Sequence, residues 1–120
     1  MKSIILSVFF LISLNCFGQS DTISAATAKN FIGKEVVLKG TLKGFKPFKD
    51  RNGKDILFLD IDASYPDTEI GVTVFPDAFS EVNLKPEDIG RTVLISGIVE
   101  EYRGKPSLPI SEGTQIKFKQ

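Results

Sequence analysis

The chain has 120 residues, room for one domain, and its 15 Lys and Arg balance its 15 Asp and Glu. It has no His, no Trp and a single Cys. These counts exclude a strongly basic nucleic-acid coat, a histidine-centred catalyst and a disulfide framework.

The first residues read as a secretory leader and not as part of a fold. Lys2 supplies a positive start, Ile4 to Leu14 is apolar apart from two serines, and Asn15-Cys16-Phe17-Gly18 follows. Cys16 and Gly18 stand where small residues mark a cleavage site, which places the cut between Gly18 and Gln19. The apolar run is shorter than the roughly 20 residues that span a bilayer. Cys16 also reads as the lipid-attachment cysteine of a bacterial lipoprotein. Asn15 and Ser13 are poor neighbours for that, so peptidase cleavage is the preferred reading. Removing 18 of the 120 residues leaves 102, with no cysteine and with 14 cations against 15 anions. The expected product is an exported monomer, periplasmic or secreted, with no membrane span.

Along residues 19–120 the pattern starts helical and then alternates. Ser24 can cap a short helix over Ala25 to Phe31, with Ala28, Phe31 and Ile32 facing inward and Gly33 as its stop. In Glu35 to Phe45, Val36, Leu38 and Leu42 alternate with Val37, Lys39, Thr41 and Lys43, a half-buried strand with Gly40 placed for a sharp coil. A basic loop with the turn pair Asn52-Gly53 leads to a second strand, Asp55 to Ala63, with Leu57, Leu59 and Ile61 on its inner side. A turn at Tyr65-Pro66-Asp67 precedes a third strand, Glu69 to Phe75, with Ile70, Val72 and Val74 inward. Pro76 ends it, and Asp77 can cap a helical connection through Val82 with Phe79 inward. Leu84 to Gly90 is a polar turn. The fourth strand spans Arg91 to Tyr102, Arg103 to Pro106 is a hairpin turn, and the last strand covers Leu108 to Ile110 and resumes near Gln115 to Phe118. This order predicts an all-β domain. It is a five-stranded Greek-key OB-type barrel with a short N-terminal helix and a helical connection between strands three and four, closed so that no edge is exposed.

Particular stretches carry a resemblance. They are Gly33 to Gly40, Phe58-Leu59-Asp60-Ile61, Val72 to Phe75, Gly90 to Val93, Ile95 to Val99, and Tyr102-Arg103-Gly104-Lys105-Pro106 with the residues up to Ser111. Together they resemble the OB-fold, nucleic-acid-binding-like domains of exported bacterial proteins, which are similar in fold to the anticodon-binding OB superfamily. The resemblance implies fold first, because OB barrels serve single-stranded nucleic acid, oligosaccharide and protein partners. Related domains often carry Asn where this chain has Asp60, and an acid there repels a phosphate backbone.

The candidate site lies in two basic loops. Lys43 to Lys54 carries five cations against Asp50, with Phe45 and Phe48 between them, and Arg103 and Lys105 follow in the later hairpin. Cations that hold a backbone beside rings that stack on bases are the chemistry of single-strand binding. The candidate contacts are therefore Phe45, Lys46, Phe48, Lys49, Arg51, Tyr102, Arg103 and Lys105, with Phe58 a further stacking ring if it faces outward. The competing reading of the same residues is a soluble, lysine-rich hairpin with Phe45 or Phe48 plugging a barrel end.

Asp60 to Ser64 imitates the start of a calcium loop. Tyr65 and Gly71 then occupy the positions that need Gly and Glu, so no metal site or cofactor is expected. The expected function is a non-enzymatic binding module acting outside the cytoplasm, with single-stranded nucleic acid as partner. The alternatives are a protein- or glycan-binding envelope module and a small carboxylate-dependent hydrolase.

Overall fold

The computed structural model describes residues 21–119. The leader at residues 1–18, the Gly18/Gln19 cut and the lipidation reading of Cys16 lie outside the described residues. Within them the chain forms eight strands, a four-residue α-helix and three 3₁₀ turns.

The strand β1 (Asp21–Ile23) runs parallel to β2 (Glu35–Lys49), with Ile23 opposite Leu38. A 3₁₀ turn over Ala25–Phe31 joins them. Thr27 closes its start, since its hydroxyl accepts the Ser24 N–H and its own N–H donates to the Ser24 carbonyl, both at 3.2 Å. Ala25 and Ala28 are buried and Phe31 packs on the core. Ile32, expected inward, is 41% exposed because the chain has already left the turn at that residue.

The 15-residue β2 outruns the strand predicted to end at Phe45. Its first half pairs with β5 (Thr92–Ile98), and its second half, past a register shift between Leu42 and Gly44, pairs with β3 (Asp55–Ile61). Half of the supposed basic loop is therefore strand. Pro47 is tolerated there for a physical reason. The Asp50 N–H donates to the Lys54 carbonyl at 2.8 Å, and antiparallel alternation then makes Pro47 and Leu57 a pair that exchanges no backbone bonds. The missing N–H points to the edge where the β5 ladder has ended at Thr41 and the last backbone bonds are those of Leu42 to Gly90 and Arg91. The sharp coil of β2 depends on Gly40, where a Cβ would lie 2.5 Å from Ile61 Cγ2 and 2.8 Å from Asp62 Oδ1.

The Asp50 to Lys54 hairpin is closed by the Gly53 N–H on the Asp50 carbonyl at 3.0 Å, with Gly53 at φ 77°. After β3, the strand β4 (Gly71–Val74) runs antiparallel to it, and α1 (Pro76–Phe79) follows at once. Pro76 opens this helix instead of merely ending the strand. Phe75 holds the cap position expected for Asp77, which sits in the first turn.

The segment expected as one strand over Arg91 to Tyr102 is two, β5 and β6 (Glu100–Tyr102), broken at Val99. The Val99 side chain is fully buried, and its backbone bonds to Gly33 and Lys34 outside the ladder. A two-residue turn at Arg103 and Gly104, both at positive φ, leads to β7 (Lys105–Ile110). After a 3₁₀ turn the strand β8 (Ile116–Phe118) pairs with β5.

The sheet runs β6-β7-β4-β3-β2-β5-β8, with β4 and β7 parallel. The barrel expected to close does not, because the hydrogen-bonded sheet ends at β6 on one side and at β8 on the other. The chain itself crosses the seam at Val99, from β5 beside β2 to β6 beside β7. The open edges are blunted by short, charged strands, Glu100 and Glu101 on β6 and Lys117 on β8. The inward side chains Val36, Leu38, Leu42, Ile61, Val72, Val93, Ile95 and Leu108 form one core.

Candidate functional site

The strands β2, β3, β4, β7 and β6 present their outer faces as one surface, and a groove of about 510 Å³ runs across it. That volume lies within the range of about 300–1,000 Å³ typical of ligand sites.

Strand alternation decides which side chains reach the groove. Phe45 stands opposite Leu59 on the inner face and packs on the core. Lys46 and Phe48, one step out of phase with it, face the groove. Lys46 stands opposite Phe58, and its Nζ lies 5.0 Å from the centre of the Phe48 ring. The Phe48 and Phe58 rings meet edge to face at 5.0 Å, and both remain exposed. This wall combines a cation with two rings.

The opposite wall comes from the β6–β7 hairpin and the segment after β3. Tyr102 is 63% exposed, with the Arg103 guanidinium 5.2 Å from its ring centre. Lys105 Nζ donates to the buried Thr68 hydroxyl at 3.2 Å, so the ammonium group of this lysine is anchored beside the groove. Tyr65, 81% exposed, adds a fourth ring to the rim. Between the walls lie Asp60, Gly71 and Ser107.

Four of the eight residues named from sequence therefore line one groove: Lys46, Phe48, Tyr102 and Lys105. Arg103 stands beside it over Tyr102. Lys49 and Arg51 sit toward the tip of the β2–β3 hairpin, where Lys49 forms an exposed ion pair with Asp55. Phe45 serves the core. Phe58 stands at the centre of one wall. In the sequence Tyr65 belongs only to a turn, and no local signal marks a turn tyrosine as a groove residue. Asp62 spends its carboxylate on the Thr41 N–H at 2.8 Å, bracing the β2 register shift.

No protein-family model matches the chain, and no curated protein matches it. Solved structures do. A chain from the yeast Stn1 and Ten1 structure superposes with a TM-score of 0.59 at 13% identity, over 87% of this chain and 65% of that one. The fold is the OB fold. The OBody AM1L10, solved bound to hen egg-white lysozyme, gives 0.51 at 20% identity over 85% of this chain and 96% of its own. A candidate nucleic acid-binding lipoprotein from Klebsiella pneumoniae gives 0.52 at 16% identity over 88% and 97%. This OB chain spans about two thirds, 65%, of the yeast chain's length.

Proposed function

We propose that this chain is an exported, non-catalytic OB module that binds single-stranded nucleic acid across the β2–β3–β4–β7–β6 groove. The observation that carries the reading is the convergence of Lys46, Phe48 and Phe58 on one wall with Tyr102, Arg103 and Lys105 on the other. Base stacking on exposed rings accepts any sequence, and cations at the rim hold the phosphates between stacked bases. The Klebsiella protein, similar in fold, is described as a candidate nucleic acid-binding lipoprotein, which supports the reading. The leader-like residues 1–18 support export.

Substitution of the rings and the cations separates their contributions. Phe48→Ala or Phe58→Ala weakens oligonucleotide binding by about 1–3 kcal/mol per stacked base lost. Lys46→Ala weakens it for all sequences and lowers the salt slope by about one. Unchanged affinity in all three variants removes this groove from the function.

The OBody complex and the acid at the groove centre favour one second reading, a protein or glycan ligand. Binding to envelope material that ignores salt, with no oligonucleotide binding, supports it.

A further inference from the structure

The floor of the groove carries an acid where a phosphate-binding surface gains nothing from one. Asp60 is half-buried there, opposite Gly44 on β2, and its carboxylate lies over that glycine, 3.5 Å from where a Cβ would stand. On its other side is Gly71, one step beyond the paired Leu59 and Val72, and a Cβ there would meet nothing closer than the Pro106 carbonyl at 4.0 Å. The carboxylate thus covers Gly44, and Gly71 leaves open sheet on its other side, among the Phe58, Tyr65 and Tyr102 rings that line the groove. Asp60 Oδ2 accepts the Tyr65 N–H at 3.3 Å, its one hydrogen bond among the described residues.

We infer that Asp60 reads a base, and that the base is guanine. The inference rests on the single-strand reading above and adds the specificity of that same groove. The bare floor admits a flat ring, Phe58 or Tyr102 offers it a stacking face, and the carboxylate accepts from its edge. Guanine alone presents two adjacent donors, N1–H and the N2 amino group, on its Watson–Crick edge, spaced to meet the two oxygens of one carboxylate. Adenine and cytosine set an acceptor nitrogen beside their amino group. Thymine and uracil flank a single N–H with two carbonyl oxygens. Each of those acceptors faces a carboxylate oxygen and repels it. The acid that weakens phosphate binding at this point is therefore the element that selects the base.

The test uses short thymidine oligonucleotides with one central guanine, inosine, adenine or cytosine, titrated with the folded chain at low and at physiological salt. Guanine binds tightest, roughly tenfold or more over thymidine, as for one good bidentate contact. Inosine, which lacks the N2 amino group, loses most of that gain. In Asp60→Asn the amide oxygen still accepts the Tyr65 N–H, so the site keeps its shape. The guanine preference disappears there while the salt slope stays. Salt-dependent binding with equal affinity for guanine, inosine and thymidine overturns the inference and leaves the single-strand reading standing. A guanine preference that survives in Asp60→Asn also overturns it. No binding of any strand at low salt overturns both.

Discussion

Gln115 donates from its amide nitrogen to the Ser96 and Pro109 carbonyls at 2.9 and 3.2 Å, while its amide oxygen accepts the Ser111 and Glu112 N–H groups at 2.9 and 3.0 Å. One side chain thereby bridges β5 and β7, two strands that share no ladder, at the seam where the sheet stays open. Gln115→Ala strands these backbone groups, which costs about 1–3 kcal/mol if water does not replace the amide. Urea unfolding measures it, and a loss near zero means water fills the place. Asp88 gives a pH-dependent counterpart. The Lys85 N–H, 2.9 Å from its carboxylate, holds the Asp88 carboxyl below its ordinary value; burial opposes this and the Arg91 guanidinium reinforces it. A carboxyl depressed in the folded state contributes stability above its unfolded value and loses it as pH falls through the folded one. Asp88→Asn therefore lowers the urea midpoint at neutral pH, and the gap to the parent protein closes in acid below the folded Asp88 value. A gap that persists in strong acid contradicts this assignment. The bridging role of Gln115 is not legible in sequence, because Ser96 lies 19 residues away and the fold alone brings it near, whereas the partners of Asp88 lie within three residues of it on either side.

At the scale of elements, legibility follows how local the signal is. The Asn52-Gly53 and Arg103-Gly104 turns are readable because their chemistry sits within the turn. In both, glycine takes the positive φ that the return of the chain requires. The inner faces of β3 and β4 are readable because Leu57, Leu59, Ile61, Val72 and Val74 repeat with period two and are buried. The extension of β2 through Lys49 is not, because Pro47 and the lysines hide an alternation that only pairing with β3 reveals. The break at Val99 is hidden likewise, since its cause is the bonding of that residue to Gly33 and Lys34, distant in sequence. The coil of β2 at Gly40 carries its own prediction. Gly40→Ala drives a Cβ into Ile61 and Asp62 and destabilises the domain by about 1–3 kcal/mol, read from the same urea midpoint. A neutral result means that β2 can shift away from β3 there.

For the whole molecule, an OB barrel left open at one seam brings two sequence-distant basic segments, Lys46 to Phe48 and Tyr102 to Lys105, onto one surface. The balanced total of 15 cations and 15 anions conceals that placement. Sequence could name the rings and cations, but it could not say that Phe45 turns inward while Phe58 and Tyr65 join the groove. Export belongs to this scale too. Protein isolated from the cell envelope is expected to begin at Gln19 by intact mass, and a lipid-modified Cys16 in its place contradicts that cut. The most direct test of the groove is the fluorescence anisotropy of a mixed single-stranded oligonucleotide titrated with the leaderless domain, at low and at physiological salt. The expected result is binding that weakens steeply with salt, with the slope of a few released counterions. Absence of binding even at low salt contradicts it and leaves the OB fold with a ligand of another class.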